Sequence, residues 1–487
     1  MIMTKEKGIL KAQELFQGLC EVIENALRDR QRIDLVERDV MSHLLQMGLA
    51  FLRAFVAGSG DGDVGRTATP PGGAEPKSRL PQQHRRRYVS IFGALQIRRW
   101  VYGTREGQKI DYVPLDERLG LPASDFSYVV EDWWQRLCVK EAFAEAREGL
   151  ASVLGLRLSV RSLEAMNRRL DASSEVFRDQ QQPPPVAEEG SLLVVTSDGK
   201  GVPMRRLEPA SAPRHQRRKK GEKANKKQMA YVGAAYTIEP FVRSADQVLD
   251  EVLRRERAKS RPTPQHKRVW AEMTRTDNAK GGAGCNGKDA LFSQLSDDLV
   301  RRNRGVYRRV VFVSDGERAL WEKQREYFPW AIGVLDIFHV LERLWLAAHC
   351  LHPEGSSQAE SYVTERFRAL LEGKVKKVIA GLRTQARHQA GGKRRTLRQV
   401  ANYFANNCEH MRYDEYLAKG YPIGSGVAEG ACRHVVKDRM EQSGMRWTVE
   451  GAQAMLHTRA IYLNGDWENF NDYRITREQN ELYAAAA

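Results

Sequence analysis

Two runs of apolar, mostly β-branched residues stop at the same tripeptide. Leu192-Leu193-Val194-Val195-Thr196 leads into Ser197-Asp198-Gly199, and Val310-Val311-Phe312-Val313 leads into Ser314-Asp315-Gly316. Runs of this length and composition read as buried strands. A Ser-Asp-Gly stop reads as the turn that ends one. Each strand then carries a carboxylate at its end, held on a rigid element and open to a cleft. A third acid, Glu429, sits between glycines in Gly424-Ser425-Gly426-Val427-Ala428-Glu429-Gly430, at the start of a predicted helix. Carboxylate oxygens on a rigid scaffold are what a hard cation such as Mg²⁺ requires. A single Ser-Asp-Gly would be an ordinary turn. Two copies plus a glycine-flanked glutamate point to a metal site.

Charge narrows the partner. The 487 residues include 78 Lys and Arg against 62 Asp and Glu, a formal net charge of +16. Such an excess favours a polyanion, because basic side chains that displace condensed counterions gain affinity for phosphate backbones. The six cysteines are scattered with no CxxC spacing, which leaves a zinc ribbon or a disulfide framework without support. The first ten residues lack the apolar core of a signal peptide, and no uncharged apolar run reaches the ~20 residues of a membrane span. The chain is expected to be cytosolic.

Along the chain, the expected fold class is multidomain α+β. Residues 1–57 read as helical, with Leu10, Leu15, Leu19, Val22 and Ile23, then Leu44, Leu45, Leu49, Leu52 and Phe55, at helical spacing. Residues 58–83, containing Pro70-Pro71-Gly72-Gly73, read as a flexible linker. Residues 84–102 read as a β-hairpin turning near Gly93-Ala94. It carries Arg85, Arg86, Arg87, Arg98 and Arg99 beside aromatic residues, a pattern suited to DNA phosphates and stacking. Helices follow to about residue 180. A turn at Gly155 before a helix bearing Arg168 and Arg169 reads as helix-turn-helix-like. Residues 181–190, with three prolines, read as a second linker. Strands are then predicted at 191–197, 229–237, 269–273, 308–314 and 331–335, with helices at 288–302, 318–327 and from His339. Residues 340–418 read as a helical insertion, and residues 419–487 as the completion of the core. Arg217, Arg218, Lys219 and Lys220, between the first two strands, read as phosphate contacts.

Taken together, four segments carry a resemblance. They are Thr196–Gly201, Ser314–Arg318, Leu335-Asp336-Ile337-Phe338-His339 and Tyr421–Gly430, the last continuing through Arg433–Met440 and Ser443–Trp447. They resemble bacterial insertion-sequence transposases, more narrowly the Kra family of DDE transposases, relatives of the Mutator-like group. The resemblance implies an RNase H-like catalytic core with a helical insertion before the catalytic Glu. It implies that Asp198, Asp315 and Glu429 form the metal-binding triad, holding two Mg²⁺ ions or Mn²⁺. It further implies terminal inverted repeats and target DNA as partners, a homodimer or higher multimer, and a place at the bacterial nucleoid. Asp336-x-x-His339 is similar to the Asp/Cys-x-x-His element of Mutator-like enzymes. His339 is then a supporting catalytic residue or the cap of its helix, and Asp336 an outer ligand or the group that orients His339. Lys200, Arg318 and Arg433 are candidate DNA contacts, with Arg433 alternatively pairing with Glu429. Trp447 reads as core in preference to a base-stacking group. Family members often carry paired cysteines after the Arg-rich hairpin. The segment from Tyr102 to Ile110 here has none, which speaks against zinc. Two rivals share these features: a metal-dependent nuclease or resolvase on the same fold, and a non-catalytic transposase-derived DNA-binding protein.

Overall fold

In the computed structural model, the described residues are 4–73, 75–104, 110–205, 227–253, 261–275 and 284–483, and the side chains of Ala428, Glu429 and Ser443 are not described. The chain forms two units, Met1–Phe177 with Asp466–Ala487, and Arg178–Gly465.

The second unit is built on a five-stranded mixed sheet. Its strands are β1 (Leu192–Pro203), β2 (Lys227–Ile238), β3 (Gln265–Met273), β4 (Arg309–Ser314) and β5 (Ile332–Leu335), in the order β5-β4-β1-β2-β3. β1 pairs antiparallel with β2 and β2 with β3, while β4 is parallel to β1 and β5 to β4. Only β2 therefore runs against the others. The two apolar runs are the adjacent central strands β1 and β4. Their residues are buried on both faces, as strands of a covered parallel pair must be. The strands are covered by helices α1 (Ala245–Val252), α2 (Gly287–Arg302) and α3 (Arg318–Tyr327). After β5 come α4 (Ile337–Leu351), α5 (Ser357–Leu371), α6 (Val375–Arg387), α7 (Gly391–Asn406) and α8 (Tyr413–Ala418), whose apolar faces join the same continuous core. The chain returns through α9 (Gly426–Ala431), a π-helical turn at Cys432–Lys437, and α10 (Val449–Leu463), which packs on β3.

Two expectations change in this unit. β1 does not stop at Ser197-Asp198-Gly199 but runs on to Pro203, because β2 continues to pair with it as far as Lys227. The proline-rich segment 181–190 is not a free linker. Its end is fastened by Arg308, which donates to the Gly190 and Val186 carbonyls, and by Glu189, whose buried carboxylate faces Arg302 and Arg308 at 3.2 and 3.5 Å.

In the other unit, helices Lys5–Arg28 and Ile33–Gly58 form an antiparallel pair. The seam is made of small residues: Gly8 lies against Ala54, where an added Cβ would come within 2.7 Å of its Cβ. By length and composition, Ile33–Gly58 is long and apolar enough to cross a membrane, which the sequence pattern did not suggest. Its Leu49, Leu52 and Val56 pack on a cluster of Leu95, Ile97, Leu115 and Leu121. The expected linker 58–83 instead carries strands Thr67–Ala68 and Lys77–Arg79, paired with each other and with Tyr102–Gly103. Tyr102 secures the segment by donating to the Gly65 carbonyl and accepting from Val64 N–H.

The Arg-rich hairpin is present as His84–Ser90 paired with Gly93–Arg99. Helices Tyr128–Cys138, Phe143–Leu154 and Val160–Asp171 pack on one another, with Gly155 (φ +66°) closing the second and Ser159 capping the third. The C-terminal helix Trp467–Tyr483 belongs to this unit, contrary to the expectation that 419–487 lies wholly in the core. Its Arg474 pairs with buried Glu131 at 2.9 Å, and its Trp467 donates to Asp132 at 2.7 Å.

Candidate active site

The site follows from register. The last parallel pair between β1 and β4 is Thr196 with Val313. Asp198 and Asp315 each lie two residues beyond it, at the same level on neighbouring strands. β5 reaches Leu335 opposite Ser314, which brings Asp336 to the level of Asp315. Three acids from three adjacent strands thus share one edge of the sheet, at the carboxyl ends of its parallel strands, where ligands of open α/β sheets bind.

Each carboxylate is held differently. Asp198 stands inside a paired strand and accepts from Gly199 N–H at 2.6 Å. Asp315 ends β4, where Gly316 (φ +89°) turns the chain so that Glu317 N–H donates back to the Asp315 carboxylate at 2.8 Å. A side chain at 316 would be strained by that φ, and its Cβ would come within 2.7 Å of Leu335 Cδ1. Burial pushes the Asp198 carboxyl above its ordinary value, and the Asp315 charge pushes it further, while Gly199 N–H, the Cys432 thiol and His339 act in the opposite direction. Asp198 therefore faces the Asp315 carboxylate, the Cys432 thiol and His339.

Asp336 is fully buried and caps α4 by accepting from Phe338 N–H at 2.7 Å. Its second oxygen accepts from Ser425 N–H at 3.0 Å and from the Ser425 hydroxyl. Ile337 N–H also donates to the Ile423 carbonyl at 2.9 Å. The acid expected to act as outer ligand or as support for His339 thus ties the start of the His339 helix to the segment that opens the Glu429 helix. The helix cap is Asp336, not His339. His339 is partly buried, with Nδ1 3.4 Å from Glu342. Glu429 lies on α9 one turn beyond that tie; its side chain is outside the described residues.

Two neighbours were not singled out from the sequence. Cys432, in the π turn that continues α9, is buried beside Asp198; burial first, then the Asp198 charge, pushes its thiol far up. Tyr403 on α7 donates its hydroxyl to the Asp315 carbonyl at 2.5 Å, and Arg343 lies over its ring at 5.0 Å. A lone cysteine and a helical tyrosine carry no local signal, and 403 − 315 = 88 residues separate the second pair. Among the described residues no three His, Cys, Asp or Glu side chains form a ready metal cage.

The predicted DNA-contacting residues divide by burial. Arg85, Arg87 and Arg98 project from one face of the hairpin and are exposed, with Arg85 directly opposite Arg98. Arg86 and Arg99 lie on the other face, both 2.7 Å from the buried Asp116, and Arg86 also donates to the Ser124 carbonyl. These two are structural, a correction that follows from the two-residue period of a strand. Arg168 and Arg169 are both exposed, and Arg169 also pairs with the buried Glu131. Arg318 is 92% exposed beside Glu322, and Arg433 is 71% exposed at 3.6 Å from Asp438. Lys200 is partly buried on β1, two residues beyond Asp198, and its charge is felt at Cys432. Arg217, Arg218, Lys219 and Lys220 lie outside the described residues. Trp447 is core: it is 7% exposed and donates to the Met440 carbonyl at 3.0 Å.

Residues 287–474 match a family described as an uncharacterised protein family (UPF0236). The match includes Asp315, Asp336, His339 and Glu429 and leaves out Asp198. No curated protein matches the chain.

Proposed function

We propose that this protein is a DNA transposase of the DDE type, which cuts DNA at the ends of its element and joins the freed 3′-hydroxyl to a target. The observation that carries the reading is the pair Asp198 and Asp315, set level on adjacent parallel strands and electrostatically coupled. The strand order, with β2 alone reversed, supports an RNase H-like core. Glu429 is the third carboxylate, carried on a helix whose start is tied to the same sheet edge through Asp336.

Mg²⁺, or Mn²⁺, fits these donors. They are carboxylate oxygens on a rigid frame, and the repulsion between Asp198 and Asp315 is one that a divalent cation relieves. Bound there, such ions polarise the phosphoryl oxygens and lower the pKa of an attacking water or 3′-hydroxyl. The chain's own residues do the remaining work. Asp198, Asp315 and Glu429 would hold the ions, while Asp336 fixes the starts of the helices that bear His339 and Glu429. His339 exchanges a proton or contacts the scissile phosphate, and Lys200 neutralises the strand entering the cleft. Arg85, Arg87, Arg98 and Arg168 neutralise duplex phosphates in recognition of the ends.

The test is a strand-transfer assay with the DNA that flanks the protein's own coding sequence. Wild-type protein with Mg²⁺ is expected to form joined product. Asp198→Asn or Asp315→Asn should lower the rate by roughly a hundredfold or more, since removing a metal ligand takes away several kcal/mol of transition-state stabilisation. Cleavage with no joined product under any divalent metal would identify a nuclease. DNA-dependent activity unchanged in Asp198→Ala would sink the enzymatic reading.

A further inference from the structure

A cavity of about 380 Å³ lies within the second unit, beside the segment that leads into the Glu429 helix. Its walls come from the end of β2 and the residues after it, α1, residues 261–264, the start of α4 and residues 420–427. A cavity of this size holds a small molecule. The lining includes Tyr236, Phe241, Val248, Phe338, Tyr421 and Val427, so it is apolar and rich in rings. Phe338, the neighbour of His339, remains 43% exposed. Gly424 lets the backbone pass against its ring, since a Cβ there would come within 2.9 Å of Phe338 Cε2.

One polar group in this wall is poorly satisfied. The Arg243 side chain is only 12% exposed, and its guanidinium lies 5.3 Å from the centre of the Phe241 ring. Its Nε is buried with no hydrogen-bond partner, and its Nη1 reaches the Glu251 carboxylate only at 3.5 Å, too far for a good hydrogen bond. Glu251 is moreover shared, because it also pairs with Arg261. The other acid of the wall, Glu239, is exposed and engaged elsewhere: it accepts from the Ser191 N–H and hydroxyl at 3.1 and 2.7 Å. A guanidinium has five N–H donors, and burying them unmet costs free energy. Burial, then the nearby Arg261, brings the Arg243 pKa down to about 10. A buried donor in this condition calls for an acceptor from outside the chain.

We infer that this cavity binds a small aromatic carboxylate, with its ring among the aromatic side chains of the wall and its carboxylate on the Arg243 guanidinium. The carboxylate matches the planar fork of an arginine and takes two of its N–H groups at once. An aromatic body matches the rings of Tyr236, Phe241, Phe338 and Tyr421, which pack edge to face or offset on another ring. A hydrated backbone phosphate would instead have to give up its water to walls this apolar. The position also has a consequence. Ile337 and Ile423 line the cavity, and Ile337 N–H donates to the Ile423 carbonyl at 2.9 Å. An occupant thus packs on the tie between α4 and the start of α9, and stiffens the helices that carry His339 and Glu429.

The experiment needs neither DNA nor metal, so it stands or falls separately from the enzymatic reading. The full chain is titrated into 2-naphthoate, followed by the anisotropy of the probe's own fluorescence, with 2-naphthamide as the uncharged control. For a probe of this size the expected Kd is on the order of 100 µM. The amide should bind about tenfold more weakly, because it cannot form the charge-assisted pair. Arg243→Gln should weaken naphthoate about tenfold and leave the amide unchanged, so that the preference for charge disappears. Val252→Trp, which fills the cavity from α1, should abolish binding of both with unchanged circular dichroism. A wild type that binds neither compound at millimolar concentration overturns the inference, as does equal binding of acid and amide. So does naphthoate binding that Val252→Trp leaves intact, or a preference for the acid that survives in Arg243→Gln.

Discussion

At the scale of single residues, the same tripeptide does two different things. Ser314-Asp315-Gly316 ends a strand, and its glycine takes a left-handed conformation. Ser197-Asp198-Gly199 lies within a strand, paired residue by residue with Gly233, Val232 and Tyr231. Asp198 is partly buried there, and burial makes its ionised carboxylate cost stability unless a cation joins it. Because its folded carboxyl lies above the ordinary value of 3.8, its contribution to stability is full below that pH and is lost as pH rises through the folded value. At neutral pH without metal, Asp198→Asn should thus melt at a higher temperature than wild type while losing activity. Mg²⁺ should raise the melting temperature of wild type much more than that of the variant. Differential scanning calorimetry with and without Mg²⁺ checks both; a variant that melts lower without metal would remove the case for a strained acid.

At the scale of elements, the hairpin shows how a local pattern sorts a basic cluster. Alternation could be read from the sequence, but which face meets the core could not. Asp116 decides it, because its buried carboxylate demands partners and takes Arg86 and Arg99. The two sets of arginines should behave oppositely. Replacing Arg85, Arg87 and Arg98 by Gln should leave stability within about 0.5 kcal/mol. The same change should weaken DNA binding and reduce the slope of log affinity against log salt by about 0.9 for each phosphate that is no longer neutralised. Replacing Arg86 by Gln should instead lower stability by about 3 kcal/mol, since it strips a buried acid of a partner. Urea unfolding and salt-dependent fluorescence anisotropy on the same variants separate the two. The helix cap at Asp336 was similarly half legible. An Asp before a helical run is an N-cap signal, but its second bond, to Ser425, depends on a segment 425 − 336 = 89 residues away.

At the scale of the whole molecule, stability and site both rest on contacts between distant segments. Glu272 on β3 is the clearest case in the sheet unit. Burial works against its charge, yet His457 on α10, Gln294 and Arg178 hold its carboxyl down to about 2. A carboxyl depressed from 4.5 contributes stability that is present above pH 4.5 and lost as pH falls towards about 2. Glu272→Gln should cost about 3–5 kcal/mol at neutral pH, as breaking a buried pair does, and should flatten the acid limb of the stability curve. Chemical unfolding from pH 7 to pH 3 measures both effects. The elements of this protein were legible in its amino acids: two apolar runs that had to be strands, an alternating Arg-rich hairpin, amphipathic helices, and acids at the ends of apolar runs. Period and turn chemistry are properties of a few consecutive residues, so they can be read one segment at a time. It took the folded chain to show that Asp198 and Asp315, 117 residues apart, stand level on neighbouring strands, with Cys432 and Tyr403 beside them and Asp336 securing the helix of Glu429. Strand register and helix docking are fixed by packing between segments that lie far apart in the chain, and no local pattern encodes that packing.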